Sequence, residues 1–133
     1  MIVLDASAAW ELLGQGPAAQ RLMALVLGPG ASVHAPDLIN VEVLHVLRRH
    51  AQRGEVPIER SDEMRADFAD LPIHVYPTWP LLGRAWELRA NFTAYDAMYV
   101  ALAEVLDASL VTADLALARA AGDHTSIVVE TVV

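Results

Sequence analysis

Two rhythms of hydrophobic and polar positions alternate along the chain. Short runs rich in β-branched and other apolar residues fall at 2–4, 32–34, 73–76, 109–112 and 127–132, and predict strands. Between them, apolar residues recur at helical spacing. Leu22, Leu25 and Val26 share a face within 18–27, and Ile39, Val43, Val46 and Leu47 do so within 37–52. Similar patterns predict helices over 8–13, 61–70, 79–90, 95–106 and 115–121. Gly14-Gln-Gly-Pro17, Gly28-Pro-Gly30, Gly54 and Gly122 punctuate these segments. Strands alternating with helices imply parallel strands and right-handed crossovers. Short strands without strict polar alternation imply a sheet covered on both faces. The expectation is a three-layer α/β/α domain with a central parallel sheet of four to five strands, a single domain over residues 1–133.

Composition sharpens this picture. The hydrophobic fraction of 55% exceeds the about 45–50% of typical globular chains, as two-sided coverage of a sheet requires. Acids outnumber bases 17 to 9, a net charge of −8. That balance argues against sequence-independent coating of nucleic acid, which needs a basic footprint. It leaves room for a nucleic-acid enzyme that uses metal ions at one site. Cysteine is absent, so there is no disulfide framework and no thiolate metal site. The longest apolar run, 97–103, falls far short of the about 18 residues of a membrane span. No positive leader precedes Arg21, and the expectation is a soluble cytoplasmic protein.

In sheets of this kind, sites form outside the carboxyl ends of the strands, where strand order reverses. Asp5 and Asp114 each end a predicted strand, and each is also placed to cap the helix that follows. Asp96 lies in Thr93-Ala-Tyr-Asp96, with capping-box spacing. The helix it opens is apolar nearly all round, so the acid is expected to be buried. A buried carboxylate needs a partner charge, a metal or a proton, and no arginine is near in sequence. Glu42 aligns with Leu38, Ile39 and Val46 on an apolar stripe, which a glutamate avoids unless it still reaches water. Helices that follow strands begin at the carboxyl edge, which places all four acids on one rim. Two carboxylates about 4 Å apart repel by roughly 4 kcal/mol at an effective dielectric near 20. Hard divalent cations relieve such crowding, and Mg²⁺ takes oxygen ligands together with several waters. In a cleft, such an ion can activate water and offset charge developing on a phosphodiester.

The order Asp5-Ala-Ser7, Asn40-Val-Glu42-Val, Tyr95-Asp96-Ala97 and Thr112-Ala-Asp114 resembles the PIN-domain ribonucleases. In length and single-domain extent the chain looks most like the VapC toxins of type II toxin–antitoxin systems, from residue 2 to about residue 130. The resemblance implies Mg²⁺- or Mn²⁺-dependent hydrolysis of RNA phosphodiester bonds by metal-activated water. Asp5, Asp96 and Asp114 would hold the metal, and Glu42 would complete the acidic quartet directly or through water. Ser7 and Thr112 match small hydroxyl positions that help arrange the site. Some members carry a further acid or amide after the fourth acid. Here Leu115-Ala-Leu117-Ala supplies none, so no fifth ligand is expected. The resemblance also implies a small VapB-like antitoxin partner, and a homodimer or a toxin–antitoxin hetero-oligomer. Trp10, Trp79, Trp86 and Leu12-Leu13 are candidates for contact surface or for core. Arg48, Arg49 and Arg53 form a basic patch that would touch RNA or partner, or merely complement a helix dipole.

Rival chemistries lack their residues. Every one of the nine basic residues is an arginine, which removes the lysine that a phosphorylated receiver domain or a haloacid-dehalogenase-type phosphohydrolase needs. The latter would also want Asp-x-Asp where Ser7 stands. No P-loop, no Gly-x-Gly-x-x-Gly after the first strand and no Gly-x-Ser-x-Gly occurs. Glu42-Val-Leu-His45 has no second copy, as a di-iron bundle would require. His34, His45, His50, His74 and His124 are dispersed in sequence and predict surface or boundary positions rather than a zinc site. The non-enzymatic rival is an α/β interaction module, or inactive PIN domain, in which the acids are caps and solvated positions and the chain binds a partner protein.

Overall fold

The computed structural model describes residues 1–132. Its strands are β1 (Ile2–Leu4), β2 (Val33–Pro36), β3 (Ile73–Tyr76), β4 (Ser109–Thr112) and β5 (Val129–Thr131). They form one parallel sheet in the order β3-β2-β1-β4-β5. The helices are α1 (Ala6–Leu13), α2 (Ala19–Leu27), α3 (Leu38–Gln52), α4 (Ile58–Asp70), α5 (Leu82–Glu87), α6 (Ala94–Leu106) and α7 (Leu115–His124). From β1 the chain steps through β2 to β3 on one side, then crosses to β4 and β5 on the other. Right-handed crossovers put the helices of these two journeys on opposite faces. The packing agrees: α1 rests on α2, α3 and α4, while α5 packs on α6, and α7 lies against β4 and β5. The order reverses between β1 and β4, so the crevice expected of a doubly wound sheet opens at their carboxyl ends.

The core explains the apolar runs. Every residue of β1 is buried, and Leu110, Val111 and Thr112 of β4 are buried beside it. Residues 97–103 of α6 are buried without exception, as a helix apolar all round should be. Among the described residues, no helix is long and apolar enough to cross a membrane.

Several expectations change in detail. The helix over 61–70 starts earlier, at Ile58, directly after Pro57, a residue preset for helix entry. The helix over 79–90 is instead a 3-10 turn at Trp79–Leu81 followed by the short α5. Pro80 has no amide to donate, so it suits only an opening turn. The histidines are not all apart. The β2–β3 register pairs His34 with His74, their rings stack at 5.1 Å, and the Tyr76 hydroxyl lies 2.7 Å from His34 Nδ1. His34 is buried, and burial first, then His74 and the amino terminus, hold it below the usual histidine range. Leu12 and Leu13 are core, whereas Trp79 and Trp86 are 73% and 67% exposed. Trp10 is half-buried and stacks on His50 at 4.5 Å.

Asp107 ends α6 in the left-handed region, at φ 50°. That conformation costs an L-residue energy that glycine does not incur, and a carboxylate at a helix C-terminus also opposes the dipole. Asp107→Gly removes a left-handed penalty of about 1–2 kcal/mol, offset by about 0.4–1 kcal/mol for glycine's freer unfolded chain, and is therefore expected to raise stability by about 0.5–1 kcal/mol in a urea unfolding titration. A lower unfolding midpoint for the variant would refute this.

Candidate active site

Asp5 leaves β1 beside β4, with its amide donating to the Val111 carbonyl at 3.2 Å. Its Oδ1 accepts from the Ala8 amide at 2.9 Å, capping α1, and from the Ser7 hydroxyl at 2.7 Å. Its Oδ2 accepts from the Thr112 hydroxyl at 2.5 Å. A carboxylate has about four lone-pair sites, so Oδ2 still has acceptor capacity. The two hydroxyls are themselves anchored. Ser7 Oγ accepts from the Ala113 amide at 2.9 Å, Thr112 Oγ1 accepts from the Asp114 amide at 3.0 Å, and the two oxygens lie 3.2 Å apart. One hydrogen-bonded net thus ties the ends of β1 and β4 together around Asp5.

Asp114 leaves β4 in the same way. Its Oδ1 accepts from the Ala116 and Leu117 amides at 2.9 and 3.1 Å, capping α7. Capping and site chemistry are therefore not alternatives for Asp5 and Asp114. One oxygen does the capping and leaves the other with capacity. Asp96 sits in the first turn of α6, where its amide donates to Thr93 Oγ1 at 3.1 Å. Glu42 is half-buried among Ile39, Val43 and Leu47 on α3, and its Oε1 accepts from the Tyr99 hydroxyl at 2.9 Å.

Repulsion links Asp5 with Asp114, Asp96 with both, and Glu42 with Asp5 and Asp96. Burial raises the Asp5 carboxyl above its ordinary value. Thr112, Ala8 and Ser7 pull it back, and Asp114 pushes it further up. Asp96 is raised by burial, then by Asp114 and Asp5, against a lowering contact from Thr93. Glu42 is raised by burial, lowered by the Tyr99 hydroxyl, and raised by Asp5 and Asp96. Among the described residues, no ion pair involves any of the four. Crowded acids without a cationic side chain, offering only oxygen donors, suit a hard divalent ion. Among the described residues, no group of three or more His, Cys, Asp or Glu side chains is gathered closely enough to hold a metal ion by itself. Mg²⁺ keeps several waters and is usually bound through one or two carboxylates plus substrate phosphates, so the oxygen donors suit that ion without a ready-made cage.

The basic patch lies elsewhere. Arg48 and Arg53 follow Glu42 by 6 and 11 residues along α3 and its C-cap, which is about 9 and 16 Å at 1.5 Å per residue. Since α3 begins at the carboxyl edge, these arginines lie toward the opposite edge of the sheet. Tyr99 is the participant that sequence reasoning passed over. It stands in the apolar run 97–103 and reads as core, although a buried tyrosine hydroxyl requires a partner.

Comparison with known proteins fits this geometry. The family model described as the PIN domain matches residues 2–123. Ribonuclease VapC9 of Mycobacterium tuberculosis is 44% identical over 118 residues, covering 88% of both chains. Ribonuclease VapC12 of the same organism is 39% identical over 131 residues, covering 96% of this chain and 97% of the relative. Among solved structures, VapBC2 from Rickettsia felis, bound to a DNA fragment from their promoter, has a chain that superposes with a TM-score of 0.71. That chain is 13% identical, with 98% of each covered. VapC20 of Mycobacterium tuberculosis superposes with a TM-score of 0.66 at 17% identity, covering 90% of this chain and 95% of that one. These structural likenesses establish the shared three-layer fold, with its five-stranded parallel sheet. With its family model spanning nearly the whole length and its relatives matching end to end, the chain belongs to the PIN-domain family, among the VapC proteins.

Proposed function

We propose that this chain is a Mg²⁺- or Mn²⁺-dependent ribonuclease, the toxic component of a type II toxin–antitoxin pair acting in the cytoplasm. One observation carries the reading: four neighbouring carboxylates, each repelled by at least two of the others and without an ion-pair partner among the described residues, at the crevice where the sheet order reverses. The names of its VapC relatives as ribonucleases support the choice of substrate. Asp5, Asp96 and Asp114 would hold the ion, and Glu42 would complete the rim directly or through water. When bound, the ion supplies an activated water and compensates charge growing on the phosphoryl oxygens. The protein's own part is to hold acids where burial opposes their ionisation. Ser7 and Thr112 do this for Asp5, Thr93 for Asp96 and Tyr99 for Glu42. Because ligands must be deprotonated, ion and protons compete for this rim, and metal affinity falls as pH falls. A VapB-like antitoxin, with a homodimer or a toxin–antitoxin hetero-oligomer, completes the proposal for its partners.

The test is cleavage of a total cellular RNA pool by the purified chain, free of any partner, with Mg²⁺, with Mn²⁺ and with chelator. Discrete products that require metal are expected. No cleavage under any condition, together with no metal-induced rise in melting temperature, would leave the acids as caps and the chain as an interaction module.

A further inference from the structure

We propose that Tyr99 is a positioning residue of this site, whose buried hydroxyl fixes Glu42 of α3 in the frame of α6 that carries Asp96. The proposal rests on the ribonuclease reading of the acidic rim. Tyr99 is 2% exposed, and its hydroxyl donates to Glu42 Oε1 at 2.9 Å across 57 positions of sequence. It follows Asp96 by three residues, so both side chains leave the same face of α6. Both α3 and α6 pack on β2, and this hydrogen bond ties Glu42 of α3 to the helix that carries Asp96.

Glu42 needs such a tether. A glutamate has three side-chain torsions and loses much rotamer freedom when held. No other side-chain hydrogen bond reaches Glu42 among the described residues. Tyr99, by contrast, cannot wander. Its ring is clamped in the fully buried stretch 97–103, so the core rather than the site sets where its hydroxyl points. One oxygen of Glu42 is thereby fixed, and Oε2 keeps its acceptor capacity. Such outer contacts orient the groups that touch a metal, and their loss characteristically lowers affinity or rate by about 10–100-fold.

Tyr99→Phe keeps the ring and removes only the hydroxyl. We would compare wild type, Tyr99→Phe, Glu42→Gln and the double variant. The readouts are Mn²⁺ affinity by titration calorimetry and kcat and KM on a cleaved RNA oligonucleotide. Tyr99→Phe is expected to lose about 10–100-fold in Mn²⁺ affinity or kcat, with KM for RNA little changed. Added to Glu42→Gln, it should cost nothing more. Wild-type affinity and kcat in Tyr99→Phe would overturn the proposal, as would an equal loss in the Glu42→Gln background. A spectroscopic arm keeps the native fold. With 3-fluorotyrosine placed at position 99, the fluorine resonance should move on addition of Mg²⁺, and Glu42→Gln should abolish that movement. An unmoved resonance in a chain that binds Mg²⁺ also overturns the proposal. Failure of the ribonuclease reading looks different: the wild type itself then neither binds Mn²⁺ nor cuts RNA, and both ideas fall together. A wild type that binds Mn²⁺ without cutting still decides the tyrosine's role through affinity and the fluorine signal.

Discussion

Asp96→Asn is expected to abolish metal-dependent RNA cleavage, by at least about 10³-fold in kcat, while making the metal-free protein melt higher than wild type near neutral pH. The two effects share a cause. Burial, then Asp114, then Asp5 raise the Asp96 carboxyl above its ordinary 3.8. A carboxyl raised in the folded state binds its proton more tightly there than in the unfolded chain. Its stabilising contribution is full below pH 3.8 and is lost as pH climbs through the folded value. At pH 7 the ionised group therefore weighs against the fold, unless a divalent ion is bound. The favourable helix N-terminus, worth about 0.3–1 kcal/mol, opposes this, but the raised value says burial and the neighbouring acids outweigh it. Asparagine keeps the size and the backbone bond to Thr93 and removes the charge. Thermal melts at pH 5 and pH 8, with and without Mg²⁺, give the check. The variant should gain over wild type mainly at pH 8 without metal, and Mg²⁺ should raise only the wild type. A variant that melts below the wild type at pH 8 without metal would refute the crowding account. Sites that trade stability for activity in this way are common in enzymes.

The four acids were legible because each broke a pattern. Asp5 and Asp114 stop apolar runs, Asp96 opens a helix with no polar face, and Glu42 interrupts an apolar stripe. The five strands were legible for the same reason, within two residues at their ends. What stayed hidden depends on pairing between distant segments. The stacking of His34 on His74 follows from the β2–β3 register, which no local rhythm encodes. The exposure of Trp79 and Trp86 depends on which side of a short, proline-opened helix meets α6. Tyr99 was hidden by its own burial: in an apolar run a phenol counts as core, and only the fold brings Glu42 to its hydroxyl. That the caps of Asp5 and Asp114 each use Oδ1 and leave acceptor capacity on the same carboxylate needed atoms, since sequence cannot divide one carboxylate between two roles.

Thr112→Val is expected to destabilise the protein by about 2–4 kcal/mol and to weaken metal binding at the same time. Thr112 is fully buried, and valine nearly matches its shape, so what changes is the hydroxyl. That hydroxyl donates to Asp5 Oδ2 at 2.5 Å and accepts from the Asp114 amide at 3.0 Å. A hydrogen bond to a charged group contributes about 1.5–3 kcal/mol, and an orphaned buried partner adds its own desolvation cost. Thr112 is also the foremost influence holding the Asp5 carboxyl down against burial. Without it, Asp5 would rise further, the ion would compete with a more firmly held proton, and cleavage would need higher pH. Thr112→Ser keeps the oxygen and loses one methyl, which should cost less and leave the pH profile in place. Urea unfolding of both variants, with cleavage followed from pH 6 to pH 9, separates the two contributions. If valine proves as stable as serine and the pH profile does not move, the hydroxyl net around Asp5 is packing alone. If valine shifts the profile upward while serine does not, the fold tunes its first acid through a strand that reaches the site from the other half of the chain.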